Sequence, residues 1–159
     1  MLRVVSRRIT LPGIKPIAKI DPRYESVYLY GVVEPLTGER FFFEFSHLTA
    51  DCFQHFLLQV GQTFPKSLNL LVLDNGRFHH AKSLEIPKNI VLLFLPPYAP
   101  ELSPIERLWQ DIKAKLFSQT YQTLEDMQAK VSEILHNYCD ATIAKLTGFS
   151  LFIKAANAI

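Results

Sequence analysis

Two runs of strand-forming residues in the first part of the chain predict a pair of strands. Strand-forming residues fill 27–34 and again 40–45, and the segment between them, 35–38, reads PLTG. A proline and a glycine in so short a connection indicate a turn, so an antiparallel hairpin is expected. From Thr49 onward the period changes to that of a helix, with one buried face. Its apolar members are Phe53, Phe56, Leu57, Val60 and Phe64, ahead of Pro65.

Two later apolar runs, 70–73 and 90–95, show no alternation. Such runs are typical of parallel strands that helices cover on both faces. The chain between them has room for one short helix, expected around 81–85. Strands that alternate with helices in this order predict an α/β fold with a mixed sheet flanked by helices.

The last third of the chain predicts helices. After Ser103 an apolar stripe recurs every three or four residues, and Thr123 begins a second helical pattern. Asp140 is expected to cap a last pair of short helices divided near Gly148. The two stripes are Ile105, Leu108, Trp109, Ile112 and Leu116, then Leu124, Met127, Val131, Ile134 and Tyr138.

Length and composition favour a single domain with a substantial core, since 159 residues are 48% hydrophobic. We divide it into a basic irregular arm (1–23), an α/β core (24–117) and C-terminal helices (118–159). Two cysteines suggest neither a disulfide framework nor a zinc site. No apolar run approaches the roughly 20 residues of a membrane span, and no signal peptide is recognised. A cytoplasmic protein with no membrane partner is expected.

Positive charge is concentrated at the start of the chain, where six lysines and arginines stand against one aspartate in 23 residues. Such an excess can follow a phosphate backbone, which makes Arg3, Arg7, Arg8 and Lys15 candidate DNA-binding residues. A solvated arm without a partner is the alternative.

The first candidate for chemistry is Asp74, which follows the buried run 70–73 directly. Ligands of open α/β sheets bind beyond the carboxyl ends of the strands, so this position favours function. The alternative is ordinary turn chemistry, because Asp74, Asn75 and Gly76 all tolerate turn backbone.

Glu106 is the second candidate, at the start of the helix that follows the second run. Two carboxylates at one sheet edge are what a divalent cation needs for phosphoryl chemistry, and this points to DNA strand chemistry. Lys113 shares the face of Glu106. The alternative is structural, because Ser103 and Glu106 match a capping box with Pro104 at the first helical position.

His79 lies five residues after Asp74 and is expected to reach the same crevice. An ordinary surface or core histidine is the alternative. His79 and His80 do not have the spacing of a zinc motif.

Several of these segments together resemble bacterial insertion-sequence transposases of the mariner-related DDE superfamily. The most specific are LDNG at 73–76 with His79, and LPPYAPELSPIERLW at 95–109. YGVVEPLTG at 30–38 and LTG at 146–148 also fit, so the resemblance covers nearly the whole chain.

The resemblance implies a ribonuclease-H-like integrase fold, with an acidic triad that holds two magnesium or manganese ions for DNA strand nicking and strand transfer. Asp74 corresponds to the second acid and Glu106 to the third, and Trp109 is expected to anchor the helix of Glu106. Asn75, His79 and Lys113 are expected to support the site. The implied partners are DNA at the transposon ends and the target, with a homodimer as a further option and no small-molecule substrate.

One feature departs from the family pattern. The first acid is expected on a first, central strand just upstream of a segment like SRRITLPG at 6–13, and this chain begins at Met1 without it. We therefore expect an N-terminally truncated catalytic domain. The alternative is an inactive remnant that at most binds DNA or a full-length partner. A ribonuclease or resolvase would also need the full acidic cluster.

Overall fold

The computed structural model describes residues 26–76, 79, 81, 83–96, 103–117 and 121–148. The basic arm, with Arg3, Arg7, Arg8 and Lys15, lies outside them, and so does His80. The elements in chain order are strands β1 (Tyr28–Val33) and β2 (Arg40–Phe45), helix α1 (Ala50–Thr63), strands β3 (Asn69–Leu73) and β4 (Ile90–Phe94), and helices α2 (Pro104–Phe117), α3 (Leu124–His136) and α4 (Asp140–Thr147). The predicted mixed α/β class is confirmed.

Strands β1 and β2 form the predicted antiparallel hairpin, in which Tyr30 pairs with Phe43 and Gly31 with Phe42. Side chains alternate between the two faces of this pair. Tyr30 and Phe43 face α1, whereas Phe42 faces α2, where its ring lies 6.0 Å from that of Trp109. The hairpin is therefore covered on both faces.

Two hydrophobic cores result from this arrangement. The core between the hairpin and helices α2, α3 and α4 contains Leu29, Leu108, Trp109, Ile112, Leu116, Val131, Ile134, Tyr138 and Ile143. The core around α1 contains Tyr30, Phe53, Phe56, Leu57, Val60 and Ile90. Apolar side chains of β3 and β4, such as Leu71 and Leu92, pack against the second core. Helix α1 thus binds the hairpin and the β3–β4 pair in one core.

Strands β3 and β4 are parallel, as predicted, with Leu71 paired to Leu92. The Leu95 N–H donates to the Leu73 carbonyl and extends the ladder by one step (2.8 Å). On the face away from α1, Leu70, Val91 and Leu93 are each about half exposed. The expected cover of helices on both faces is therefore not found among the described residues.

The prediction of a helix around 81–85 is wrong for the residues that the structure describes there, because residues 83–87 are not helical. The Gln54 side chain explains the difference. Its amide donates to the Glu85 carbonyl (2.7 Å) and its oxygen accepts from the Glu85 N–H (2.6 Å). These two bonds use backbone groups that a helix would need for its own ladder.

Helix α4 begins differently from the sequence-based expectation. Asp140 is its first residue, and Cys139 occupies the cap position without a side-chain capping bond. The Asp140 carboxylate accepts from Arg40 of β2 instead, and the same guanidinium donates to the Tyr138 carbonyl. Asp140 therefore joins α4 to the hairpin rather than capping the helix.

Gly38 closes the hairpin turn with a left-handed backbone, φ 81°. A Cβ atom at this position would lie 2.0 Å from the Asp140 carbonyl oxygen. We expect Gly38→Ala to lower the free energy of unfolding by about 2 kcal/mol or more, because left-handed strain adds to a backbone clash. Urea unfolding measures this. Leu36→Ala, an exposed site in the same turn, serves as the control, with an expected change below about 0.5 kcal/mol.

Candidate active site

Asp74 leaves the carboxyl end of β3, beside the end of β4. The Asn75 side chain donates to the Leu95 carbonyl (2.6 Å), so the turn after β3 is tied to the neighbouring strand. Asp74 itself is 65% exposed in its side chain. The carboxylate therefore lies at the edge of the parallel pair and is accessible to solvent.

One oxygen of the Asp74 carboxylate is held by two donors. The Gly76 N–H donates to Oδ1 (3.0 Å), and His79 Nδ1 lies 3.0 Å from the same oxygen. His79 Nδ1 also lies 3.0 Å from the Asp74 carbonyl oxygen. Because both neighbours of Nδ1 are acceptors, this network assigns the hydrogen to Nδ1. The other carboxylate oxygen, Oδ2, has no donor among the described residues.

These contacts favour the ionised carboxylate. The hydrogen bond from His79, aided by the one from Gly76, lowers the pKa of Asp74 to about 2, although partial burial acts in the opposite direction. Asp74 therefore carries its charge throughout the neutral range. A depressed pKa stabilises the fold above the unfolded-state value of about 3.9, and that contribution is lost as the pH falls through about 2.

His79→Phe is expected to raise the pKa of Asp74 from about 2 toward the ordinary value, because the largest cause of the depression is removed. The carboxyl ¹³C resonance of Asp74, followed by NMR through a pH titration, measures the change. The same titration of the wild-type protein is the reference. An unchanged Asp74 titration would contradict the His79 contact.

His79 is nearly buried, with 10% of its side chain exposed. Its ring packs on that of Phe53 from α1, with 4.5 Å between the ring centroids. Helical spacing predicts Phe53 as a core residue but does not predict its contact with His79. The local sequence cannot indicate this contact, because the two residues are far apart along the chain and meet only in the folded protein.

Glu106 lies in the first turn of α2 and is half buried. The proposed capping box does not form: between Ser103 and Glu106 the structure contains only the bond from the Glu106 N–H to the Ser103 carbonyl (3.2 Å). In a capping box the Glu106 N–H would donate to the Ser103 hydroxyl, but here it donates to the Ser103 carbonyl instead. At α3 both reciprocal bonds between Thr123 and Asp126 are present. Among the described residues, the Glu106 carboxylate thus has no capping role.

Helix α2 is fixed by its apolar stripe. Leu108, Trp109, Ile112 and Leu116 are buried against the hairpin and helices α3 and α4. Lys113 is half buried on the same helix as Glu106. Packing of the stripe therefore determines where Glu106 and Lys113 are placed.

The donor chemistry of the two carboxylates fits a hard divalent cation, which takes oxygen ligands. Asp74 is a suitable ligand because it is ionised and one of its oxygens has no donor among the described residues. Glu106 is suitable because it does not cap a helix. The described residues contain no group of three or more His, Cys, Asp or Glu side chains that could hold a metal ion. They supply two ligand candidates, not a complete set.

One carboxylate thus lies at the end of a parallel strand, and another lies on the helix that follows the next strand. The family model of the DDE superfamily endonucleases matches residues 3–128, and the chain belongs to this family. Both Asp74 and Glu106 lie inside the matched range. The matching model describes endonucleases, and nucleases of the DDE superfamily generally use divalent metal ions.

A similar protein is "Uncharacterized protein y4pE/y4sA" of Sinorhizobium fredii (strain NBRC 101917 / NGR234), with 33% identity over 84 residues. The aligned stretch covers 52% of this chain and 62% of that protein. No solved structure matches the chain. Within the described part of the chain, every helix is too short or too polar to cross a membrane.

Proposed function

We propose that the chain is the catalytic domain of an insertion-sequence transposase, which nicks DNA strands and transfers them in a metal-dependent reaction. Asp74 and Glu106 would be the second and third acids and would hold two divalent ions, magnesium or manganese. The observation that carries the proposal is the state of these carboxylates. Asp74 has one carboxylate oxygen held by Gly76 and His79, and Glu106 lies in the first turn of α2 without the capping bond that would explain it structurally.

Bound divalent ions would supply Lewis-acid activation of the attacking oxygen and neutralise charge on the scissile phosphate. The chain's own part is to present oxygen ligands on rigid elements, which a strand end and a helix start provide. Asn75 ties the Asp74 turn to β4, and His79 holds Asp74 Oδ1. Lys113 would contact the DNA backbone beside Glu106.

The substrate would be DNA at the transposon ends and at the target. The basic arm would add phosphate contacts through Arg3, Arg7, Arg8 and Lys15. Work at two DNA ends suits a homodimer, and we place the protein in the cytoplasm, where it would meet DNA.

A second candidate is a catalytically inactive remnant that binds DNA or a full-length partner. The described residues supply two ligand candidates for a chemistry that needs three acids, so the two candidates have to be tested against each other. Under this alternative, DNA binding would be weak and salt-sensitive, and cleavage would be absent.

The two candidates are separated by a cleavage assay on terminal-repeat DNA with Mg²⁺ or Mn²⁺. The chain as given is compared with a longer protein that includes the reading frame upstream of Met1 and any acid encoded there. The transposase proposal predicts metal-dependent nicking at the repeat ends by the longer protein. If the longer protein binds this DNA but never nicks it with either metal, the remnant is the better description.

A further inference from the structure

The contact between Phe53 and His79 joins the core of the protein to the candidate metal ligand. Phe53 is 1% exposed and lies in the core that α1 shares with β3 and β4. The two rings are inclined at 47°, with 4.5 Å between their centroids. A ring packed this closely on a buried side chain has few orientations open to it.

His79 in turn determines the orientation of the carboxylate. Its Nδ1 contacts both Oδ1 and the carbonyl oxygen of Asp74, and its backbone N–H donates to the Gly76 carbonyl (2.9 Å). Gly76 returns an N–H to Oδ1. The terminal torsion of an aspartate is broad, so holding one oxygen with two donors restricts a rotation that would otherwise be free.

We propose that Phe53 is a positioning residue for Asp74 and acts through His79. The phenyl ring keeps the imidazole where Nδ1–H binds Oδ1, which leaves Oδ2 as the oxygen for a divalent cation. The inference rests on the proposed function in one respect, the role of Asp74 as a metal ligand. Loss of a group that orients a metal ligand weakens metal binding about 10-fold to 100-fold, and Phe53→Leu should lie at the lower end.

Phe56 provides a matched control. It lies on the same face of α1, belongs to the same core and is 3% exposed. Its ring neighbours are Tyr30 and Phe41, and among the described residues its ring does not pair with that of His79. Phe53→Leu and Phe56→Leu should therefore lower stability by similar amounts in urea unfolding, whereas only the first should disturb Asp74.

The test measures Mn²⁺ binding to the 159-residue chain by EPR of the free ion. We expect Phe53→Leu to weaken binding about 10-fold and Phe56→Leu to change it less than about 2-fold. In a His79→Phe background, Phe53→Leu should have no further effect, because residues that act through one another are not additive. Equal losses in the two leucine variants, or full additivity with His79→Phe, would overturn the inference.

Asp74→Asn separates this inference from the proposed function. If Asp74→Asn binds Mn²⁺ as well as the wild type does, Asp74 is not a ligand and the proposed function fails. Hydrogen exchange of the Gly76 amide then tests the positioning without metal, since that amide donates to Asp74 Oδ1. Faster exchange in Phe53→Leu than in Phe56→Leu supports the positioning role, and equal rates refute it.

Discussion

Asp74→Asn is expected to abolish metal-dependent DNA cleavage, with a fall of about 1,000-fold or more in the rate of strand nicking. The substitution keeps the size of the side chain and removes the charge that a divalent cation needs. Glu106→Gln is expected to have an effect of the same order, for the same reason. The measurement is nicking of terminal-repeat DNA by the longer protein with Mg²⁺ or Mn²⁺.

Glu125→Gln is the matched control for both variants. It removes one negative charge from an exposed position of α3, a helix that carries neither Asp74 nor Glu106. Cleavage should stay within about 2-fold of the wild type, since an exposed charge contributes little. If Asp74→Asn cleaves at the rate of Glu125→Gln, the assignment of Asp74 is wrong.

Trp109→Ala is expected to have the largest effect on stability, a loss of about 3 to 5 kcal/mol in the free energy of unfolding. The indole is 1% exposed and packs against Phe42. Gly31 makes room for it, since a Cβ there would lie 2.8 Å from the indole. Urea unfolding followed by circular dichroism measures the loss, because Trp109 is the single tryptophan and its fluorescence disappears in the variant.

Trp109→Phe should be far milder, with a loss of about 1 kcal/mol or less. Trp109 Nε1 is buried and has no hydrogen-bond acceptor among the described residues. An unsatisfied buried donor costs about 1 to 3 kcal/mol, so its removal offsets much of the lost packing. Phe117→Ala, at an exposed aromatic position of the same helix, is the control and should cost less than about 1 kcal/mol. A phenylalanine variant as unstable as the alanine variant would contradict this prediction.

The elements that the sequence predicted correctly are those specified locally. The hairpin depends on the turn at 35–38 and on strand-forming residues in its own strands, and α1 depends on Thr49 and one apolar period. The parallel pairing of β3 and β4 also followed from the pattern, because both runs lack alternation. In each case the signal lies within the element or its immediate flanks.

The errors come from contacts between distant parts of the chain. The helix expected around 81–85 fails because Gln54 of α1 bonds both backbone groups of Glu85. Asp140 does not cap α4, because Arg40 from β2 takes its carboxylate. Neither Gln54 nor Arg40 lies in the segment whose structure it changes, so the pattern of that segment alone cannot predict the contact.

In the candidate site, too, the features with a local sequence pattern were predicted and the contacts between distant residues were not. Asp74 and Glu106 are predicted from strand ends, helix starts and a family resemblance, all of which are visible in the sequence. The capping box at Ser103 matched the sequence pattern but does not form, whereas the one at Thr123 forms although it was not predicted. The stack of Phe53 on His79 had no sequence signal, because helical spacing identifies a buried face but not the side chain that packs on it.

The most direct test of the account is the position of Mn²⁺ in a crystal of the protein soaked with that ion, located by its anomalous scattering. The account predicts a peak within ligand distance, about 2.2 Å, of a carboxylate oxygen of both Asp74 and Glu106. A map in which the two carboxylates are too far apart to share an ion, or in which the ion binds elsewhere, would contradict it.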